Sequence, residues 1–209
     1  MRQRSEPRRR GSQSVNSREL RAHIAHEAAR LMTESGLRDY AAAKRKAALR
    51  LGVSDEVALP KNSEIEQALR THQRLFEGEA HAQLLRALRE TALEAMRFLA
   101  AFAPRLVGAV LDGTADRHSA VCLHLFSDDP DAPARFLDEH GIPYEAQQRR
   151  LRMTPDGYVE FPVLVFATDD TAIDLTVFTH DQLRQAPLDR VDTQPMRRAA
   201  IGVVEELLK

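Results

Sequence analysis

Acids, imidazoles, one thiol and a compact group of cations make up the reactive material of this chain, and few of them sit at spacings that build a site. Asp174 lies in Ala172-Ile173-Asp174-Leu175-Thr176-Val177-Phe178, where Ile173, Leu175 and Val177 alternate onto one face and leave the acid on the other. Gly113-Thr114 opens a polar turn ahead of Ser119. A glycine there either lets backbone N–H groups approach a phosphate or simply supplies a positive-φ turn. Asp128, Asp129 and Asp131 cluster at an expected helix start, where capping and the helix dipole already account for acids. His23 and His26 are three apart on a helix, but the pattern is not His-Glu-x-x-His and no third ligand is evident, so no metal centre is assigned. Cys122 sits in an apolar run with nothing to lower its pKa and reads as a small hydrophobe. No Ser-His-Asp arrangement stands out, and no G-x-x-x-x-G-K-[ST] phosphate loop occurs.

The cations are segregated. Residues 1–52 hold 13 Lys/Arg against 5 Asp/Glu, and the remaining 157 hold 17 against 26, so the two parts run about +8 and −9 while the whole chain nets −1. Such a front end implies a polyanion partner, an acidic surface on the second part, or a solvated basic face. Its densest cationic surface is Arg45, Lys46 and Arg50 on one helix. These can grip a phosphate backbone, but with no aromatic interleaved for stacking they would do so without sequence preference. Lys44 lies near the apolar seam and is expected to snorkel. A single cysteine suits a reduced, cytoplasmic setting. No run of about 18 apolar residues exists, and the Arg-rich start lacks an apolar signal core, so neither membrane insertion nor export is expected.

The elements that must position these residues follow from periodicity. Residues 1–16 read as a disordered basic tail with five arginines, and 17–78 as a helical region. Its first helix starts at a Ser17 cap and carries Leu20, Ile24, Ala28 and Leu31 to a stop at Ser35-Gly36. A second runs from an Asp39 cap through Tyr40 to Leu51, with Tyr40, Ala47, Ala48 and Leu51 on one face. A third carries Ile65, Leu69, His72 and Phe76 and ends at Gly78. Residues 79–209 read as an α/β domain. A long helix runs from about Glu79 to Phe102 and is closed by Pro104. Two β-like runs follow, Val110-Leu111 and a second with Val121, Leu123 and Leu125 on one face and Ala120, Cys122, His124 and Phe126 on the other. A helix capped by Asp129 runs to Glu139, then come strands at 144–152, 159–166 and 172–178, separated by turns at 154–157 and 168–170. A helical turn follows around Asp181–Gln185, and a terminal helix opened by Pro195 carries Ala199, Val203, Val204, Leu207 and Leu208.

The stretch from Val110 to Phe126 resembles the signature of the nucleotidyltransferase superfamily, the polymerase-β-like fold: a strand, Gly-Ser, a short link and a Ser-Asp-x-Asp-Leu strand whose carboxylates hold magnesium. Gly113-Thr114 stands for Gly-Ser, and Ser119-Ala120-Val121-Cys122-Leu123 for Ser-Asp-x-Asp-Leu, so both metal acids are missing. The resemblance covers about residues 84–178. The chain is similar, including Ala43-Lys44-Arg45-Lys46-Ala47 and Leu59-Pro60-Lys61-Asn62-Ser63-Glu64-Ile65-Glu66, to an uncharacterised bacterial nucleotidyltransferase-like group. It implies an α+β fold, an N-terminal helical region followed by a mixed sheet flanked by helices. It also implies nucleotide contacts from Gly113, Thr114 and Ser119, and a third carboxylate at Asp174, the one acid of catalytic type that survives, with Asp112 or Asp116 reaching in from the turn. Magnesium is implied only if the protein is active, because hard oxygen ligands are what that ion needs. Three functions stay open: a catalytically degenerate member that binds RNA or a nucleotide, an active transferase with a rearranged metal site, and a protein-interaction module with an unknown partner.

Overall fold

The computed structural model of the chain describes residues 10–53, 59–73, 78–168 and 170–209. The fold is α+β. Seven α-helices among the described residues accompany a five-stranded mixed sheet, and the chain divides into two compact units, Met1–His72 and Gln73–Lys209. Among the described residues no helix is long and apolar enough to cross a membrane. Of the expected basic tail, residues 1–9 lie outside the described residues, as do Phe76 and Asp169.

The first unit holds α1 (Arg10–Ser35), α2 (Tyr40–Arg50) and α3 (Asn62–His72). Small residues let the helices approach closely. Ile24, Ala25, Ala28, Ala29, Leu31 and Met32 of α1 pack with Ala43 and Ala47 of α2 and with Ile65, Ala68 and Leu69 of α3. Helix α1 begins at Arg10, so the backbone of residues 10–16 is helical and Ser17 is interior rather than a cap. Once a packed segment has nucleated a helix, each added residue gains a hydrogen bond at little cost. Asp39 caps α2 as expected, accepting from Ala41 N–H at 2.9 Å. Its seam is Ala43, Ala47 and Ala48, while Leu51 follows the helix and is exposed.

The second unit begins with α4 (Gly78–Phe98), so Gly78 starts a helix instead of ending one. Helix α4 stops before Phe102. A 3₁₀ turn at Ala100–Phe102 follows, and Ala103 adopts φ 46°, ψ 50°. The residue before a proline is barred from the right-handed helical region, and Ala103 precedes Pro104. Strand β1 (Arg105–Val107) then leads into a one-turn helix α5 (Ala109–Asp112). Val110-Leu111 is therefore helical rather than a strand. Two adjacent residues that are both buried suit one side of a helical turn, since successive strand residues point to opposite faces.

Strand β2 (Val121–Phe126), α6 (Ala132–Glu139), β3 (Glu145–Arg152), β4 (Tyr158–Thr168) and β5 (Thr171–Phe178) complete the sheet, in the order β1-β2-β5-β4-β3. Strands β2 and β5 are parallel and the other neighbours antiparallel. Val121, Leu123 and Leu125, with Ile173, Leu175 and Leu164, form the face that buries against Leu88, Ala92 and Met96 of α4, Val110 and Leu111 of α5, Leu137 of α6 and Val204 of α7 (Ile201–Glu206). The helices thus share one face of the sheet.

Helix α7 starts after Ala200, not at Pro195. Residues leading to it run beside β1, where Leu106 and Ala199 exchange both backbone hydrogen bonds at 2.9 Å. A three-residue edge strand gains a partner there, and the alternation sends Ala199 into the core while Arg198 points to the opposite face. Val203 on the helix and Leu207 just after it are exposed, while Val204 is fully buried.

Candidate functional site

The sheet face away from the helices carries the chemistry. Parallel pairing sets Cys122 directly beside Asp174 and His124 beside Thr176, and antiparallel pairing sets Arg105 opposite His124. Residues opposite each other share a face, so Arg105, Cys122, His124, Asp174 and Thr176 form one neighbourhood. Strand β3 adds Arg149. Its Nη1 and Nη2 donate to Oδ1 and Oδ2 of Asp174 at 2.8 and 2.6 Å, and Nη1 also reaches Thr176 Oγ1 at 3.3 Å. The Asp174 carboxylate holds the Arg149 guanidinium above its ordinary value, against the opposite pull of burial.

This fork decides what Asp174 can do. Asp174 is 13 % exposed at its side chain and both its oxygens accept from one planar cation, the strongest geometry available to such a pair. Magnesium does not fit these residues, because Cys122 beside Asp174 offers a thiol rather than a hard oxygen donor and the one carboxylate present is already paired with Arg149. Among the described residues no group of three or more His, Cys, Asp or Glu is placed to hold a metal ion. His23 and His26 are both exposed on α1. Asp112 pairs with Arg197 at 3.2 Å, and Asp116 accepts from His118 N–H at 2.8 Å, so neither is directed to Asp174 by these bonds. The Asp129 carboxylate pairs with Arg135 and accepts from Asp131 N–H; Asp131 occupies the N-cap position of α6 without a side-chain cap bond.

The predicted phosphate turn is internally bonded. Gly113 N–H and Thr114 N–H both donate to Ala109 O, at 2.9 and 3.0 Å. The carbonyl of Gly113 meets His81 Nε2 at 3.2 Å and that of Thr114 accepts from Gln73 Nε2 at 3.0 Å. Ser119 Oγ accepts from Asp116 N–H at 2.8 Å and is buried. The strand-to-helix junction lies five residues earlier, at Gly108, with φ 71° and ψ −154°.

His124 and Arg198 were not singled out by sequence. His124 is buried, with its ring 4.5 Å from Phe178, and its Nδ1 accepts from Arg198 Nε at 3.0 Å. Burial, then the positive charges of Arg198 and Arg149, push its pKa down to about 3, so the imidazole is neutral. The Arg198 guanidinium lies over Phe178 and Phe126, at 4.8 and 5.0 Å, and its Nη1 donates to the carbonyls of Gln182 and Leu183. Burial and then Arg105 pull its pKa down to about 10. Alternation marks the faces of each strand, but only the register and these hydrogen bonds show that Arg149 meets Asp174 and that Arg105 and Arg198 both lie beside His124.

In the first unit Arg45 and Lys46 are exposed on α2. Arg50 is exposed too, and its Nη1 donates to Glu27 at 3.1 Å. Glu27 also holds Arg30, and its pKa is lowered by Arg30 foremost, with Arg50 adding. Lys44 is half-buried, and burial lowers its pKa while Glu64 opposes the change. Leu49 stands among these cations, 80 % exposed.

No protein-family model matches the chain, and no curated protein matches its sequence.

Proposed function

We propose that the second unit is a nucleotidyltransferase-like domain that carries out no nucleotide transfer, and that the chain binds RNA or a nucleotide. The observation that carries this reading is the register of β2 against β5. It sets position 122 beside Asp174, the arrangement expected of neighbouring metal carboxylates, while the residue there is cysteine and Arg149 occupies the acid. A guanidinium neutralises one carboxylate but cannot polarise a phosphoryl oxygen as a bound dication does. Incubating the full chain with labelled nucleoside triphosphates, Mg²⁺ or Mn²⁺ and an RNA pool is the test. Retention of RNA or nucleotide without label transfer supports the reading; metal-dependent transfer abolished by Asp174→Asn overturns it in favour of a rearranged active site.

Leu49 favours a second reading, an interaction module in which α2 meets an acidic protein surface. A phosphate backbone has no use for an exposed leucine, so Leu49→Ala leaves RNA retention unchanged under the first reading and weakens partner binding under the second.

A further inference from the structure

Two arginines on the sheet face are charged and pair with no acid among the described residues. Arg105 donates to the carbonyls of Ala103 and Pro104 at 3.0 and 2.9 Å, and Arg198 to His124 Nδ1 and the carbonyls of Gln182 and Leu183. Among the described residues neither pairs with a carboxylate. They converge on the same place: Arg105 is the register partner of His124, whose ring holds Arg198. Ala103, which holds the Arg105 guanidinium, packs on the cluster of Phe126, Phe161 and Phe178, and Arg198 lies over two of these rings. Arg198 Nη2 is buried with no hydrogen-bond partner among the described residues.

Two like charges partly withdrawn from water, one with an orphaned donor, are an unfavourable arrangement unless an anion completes it. Arg149 does not supply the balance, being itself a cation matched one to one by Asp174. With His124 neutral, the three arginines and one acid leave the neighbourhood about two positive charges in excess. Planar guanidinium forks suit an oxyanion with several acceptor oxygens.

We propose that Arg105 and Arg198, beside the Arg149–Asp174 pair, form a binding site for a phosphate group carried by a nucleoside triphosphate or by an RNA strand. The choice of phosphate among oxyanions rests on the function proposed above; the charge imbalance does not. The site lies on the face of β1 and β2 near Phe126, away from the Gly113-Thr114 turn whose N–H groups are already bonded to Ala109.

Inorganic pyrophosphate is the probe, titrated calorimetrically into the full chain at constant ionic strength with chloride as the reference salt. Pyrophosphate is expected to bind saturably, with affinity falling at least tenfold in Arg105→Gln and in Arg198→Met, and unchanged in Arg86→Gln, an exposed residue paired with Glu90 on α4. Arg198 packs on two rings, so if Arg198→Met melts early the result rests on Arg105→Gln, whose described bonds run to neighbouring carbonyls. Displacement of pyrophosphate by ATP identifies the triphosphate source, and displacement by oligouridylate the strand. No saturable pyrophosphate binding, or binding that Arg105→Gln leaves intact, overturns the site. If RNA or ATP is then still retained through α2, the proposed function stands without it. Conversely, pyrophosphate binding lost in Arg105→Gln, together with measured label transfer, upholds the site and overturns the inactive reading.

Discussion

Arg149 and Asp174 hold each other, so each is costly to remove alone. Arg149→Gln leaves a mostly buried carboxylate without its cation and is expected to destabilise the second unit by about 1–3 kcal/mol, read by urea unfolding. Asp174→Asn should cost a similar amount, and the double variant clearly less than the sum, because the second change removes the group the first left unmatched. Additive costs would show that the fork contributes nothing to stability. His124 sets a pH dependence of opposite sense to that of a histidine gaining an ion pair. Its folded pKa, about 3, lies below the ordinary 6.5, so protons bind the unfolded chain preferentially. The stabilisation is complete above pH 6.5 and is lost as pH falls toward 3, about 2 kcal/mol between pH 7 and pH 5. His124→Gln keeps an acceptor for Arg198 and removes the titration, so the difference in unfolding free energy between variant and wild type should change by that amount over the interval. A difference that stays constant with pH would mean His124 protonates freely in the fold.

At the scale of elements, the junction between β1 and α5 turns on Gly108. Its φ of 71° with ψ of −154° lies in a region that essentially only glycine occupies, yet beyond its chain neighbours no atom stands within 4 Å of where a Cβ would be. Gly108→Ala should therefore cost about 1–3 kcal/mol through backbone strain alone, and no compensating substitution in neighbouring side chains should relieve it. Gly113, at φ 79° and ψ 20°, lies in the left-handed region that asparagine also visits, so Gly113→Asn should be tolerated better; equal melting temperatures for the two variants would contradict this. The same junction shows where sequence stops being informative. Strand alternation at 121–126 and 172–178 is legible because Cys122, His124, Asp174 and Thr176 interrupt otherwise apolar runs at alternate positions, and the Asp39 cap because its geometry is local. Val110-Leu111 misleads because two apolar residues fit a strand or one helical turn equally well. Pro195 misleads because the residues after it take their conformation from Leu106, some ninety positions away, and no local pattern encodes that bond. For the same reason Asp174 is visible as an outward-facing acid while its partner Arg149, and Arg198 above His124, are not.

At the scale of the whole molecule, charge is divided between units that each have their own apolar core. If Arg45, Lys46 and Arg50 contact an RNA backbone, log affinity should fall with log salt at a slope of about −2, three contacts at roughly −0.7 each for single strands. Arg45→Glu with Lys46→Glu should nearly abolish binding. This pair is the better probe, since reversing Arg50 would set a second acid against Glu27. Salt-insensitive binding would make α2 a solvated surface. The parallel pairing of β2 with β5 also bears on synthesis. Val121 meets Ile173, so β2 leaves the ribosome about fifty residues ahead of β5, the central strand that completes its pairing. At roughly 5–20 residues per second that is a wait of about 3–10 s, with three-residue β1 as its one partner already made. During that interval one edge of Val121–Phe126, among the most apolar segments of the chain, has unmatched amides, and α4 is the long helix already available to cover its Leu123 and Leu125. Slowing translation between residues 127 and 170 should therefore lower the soluble yield more than slowing it after residue 180.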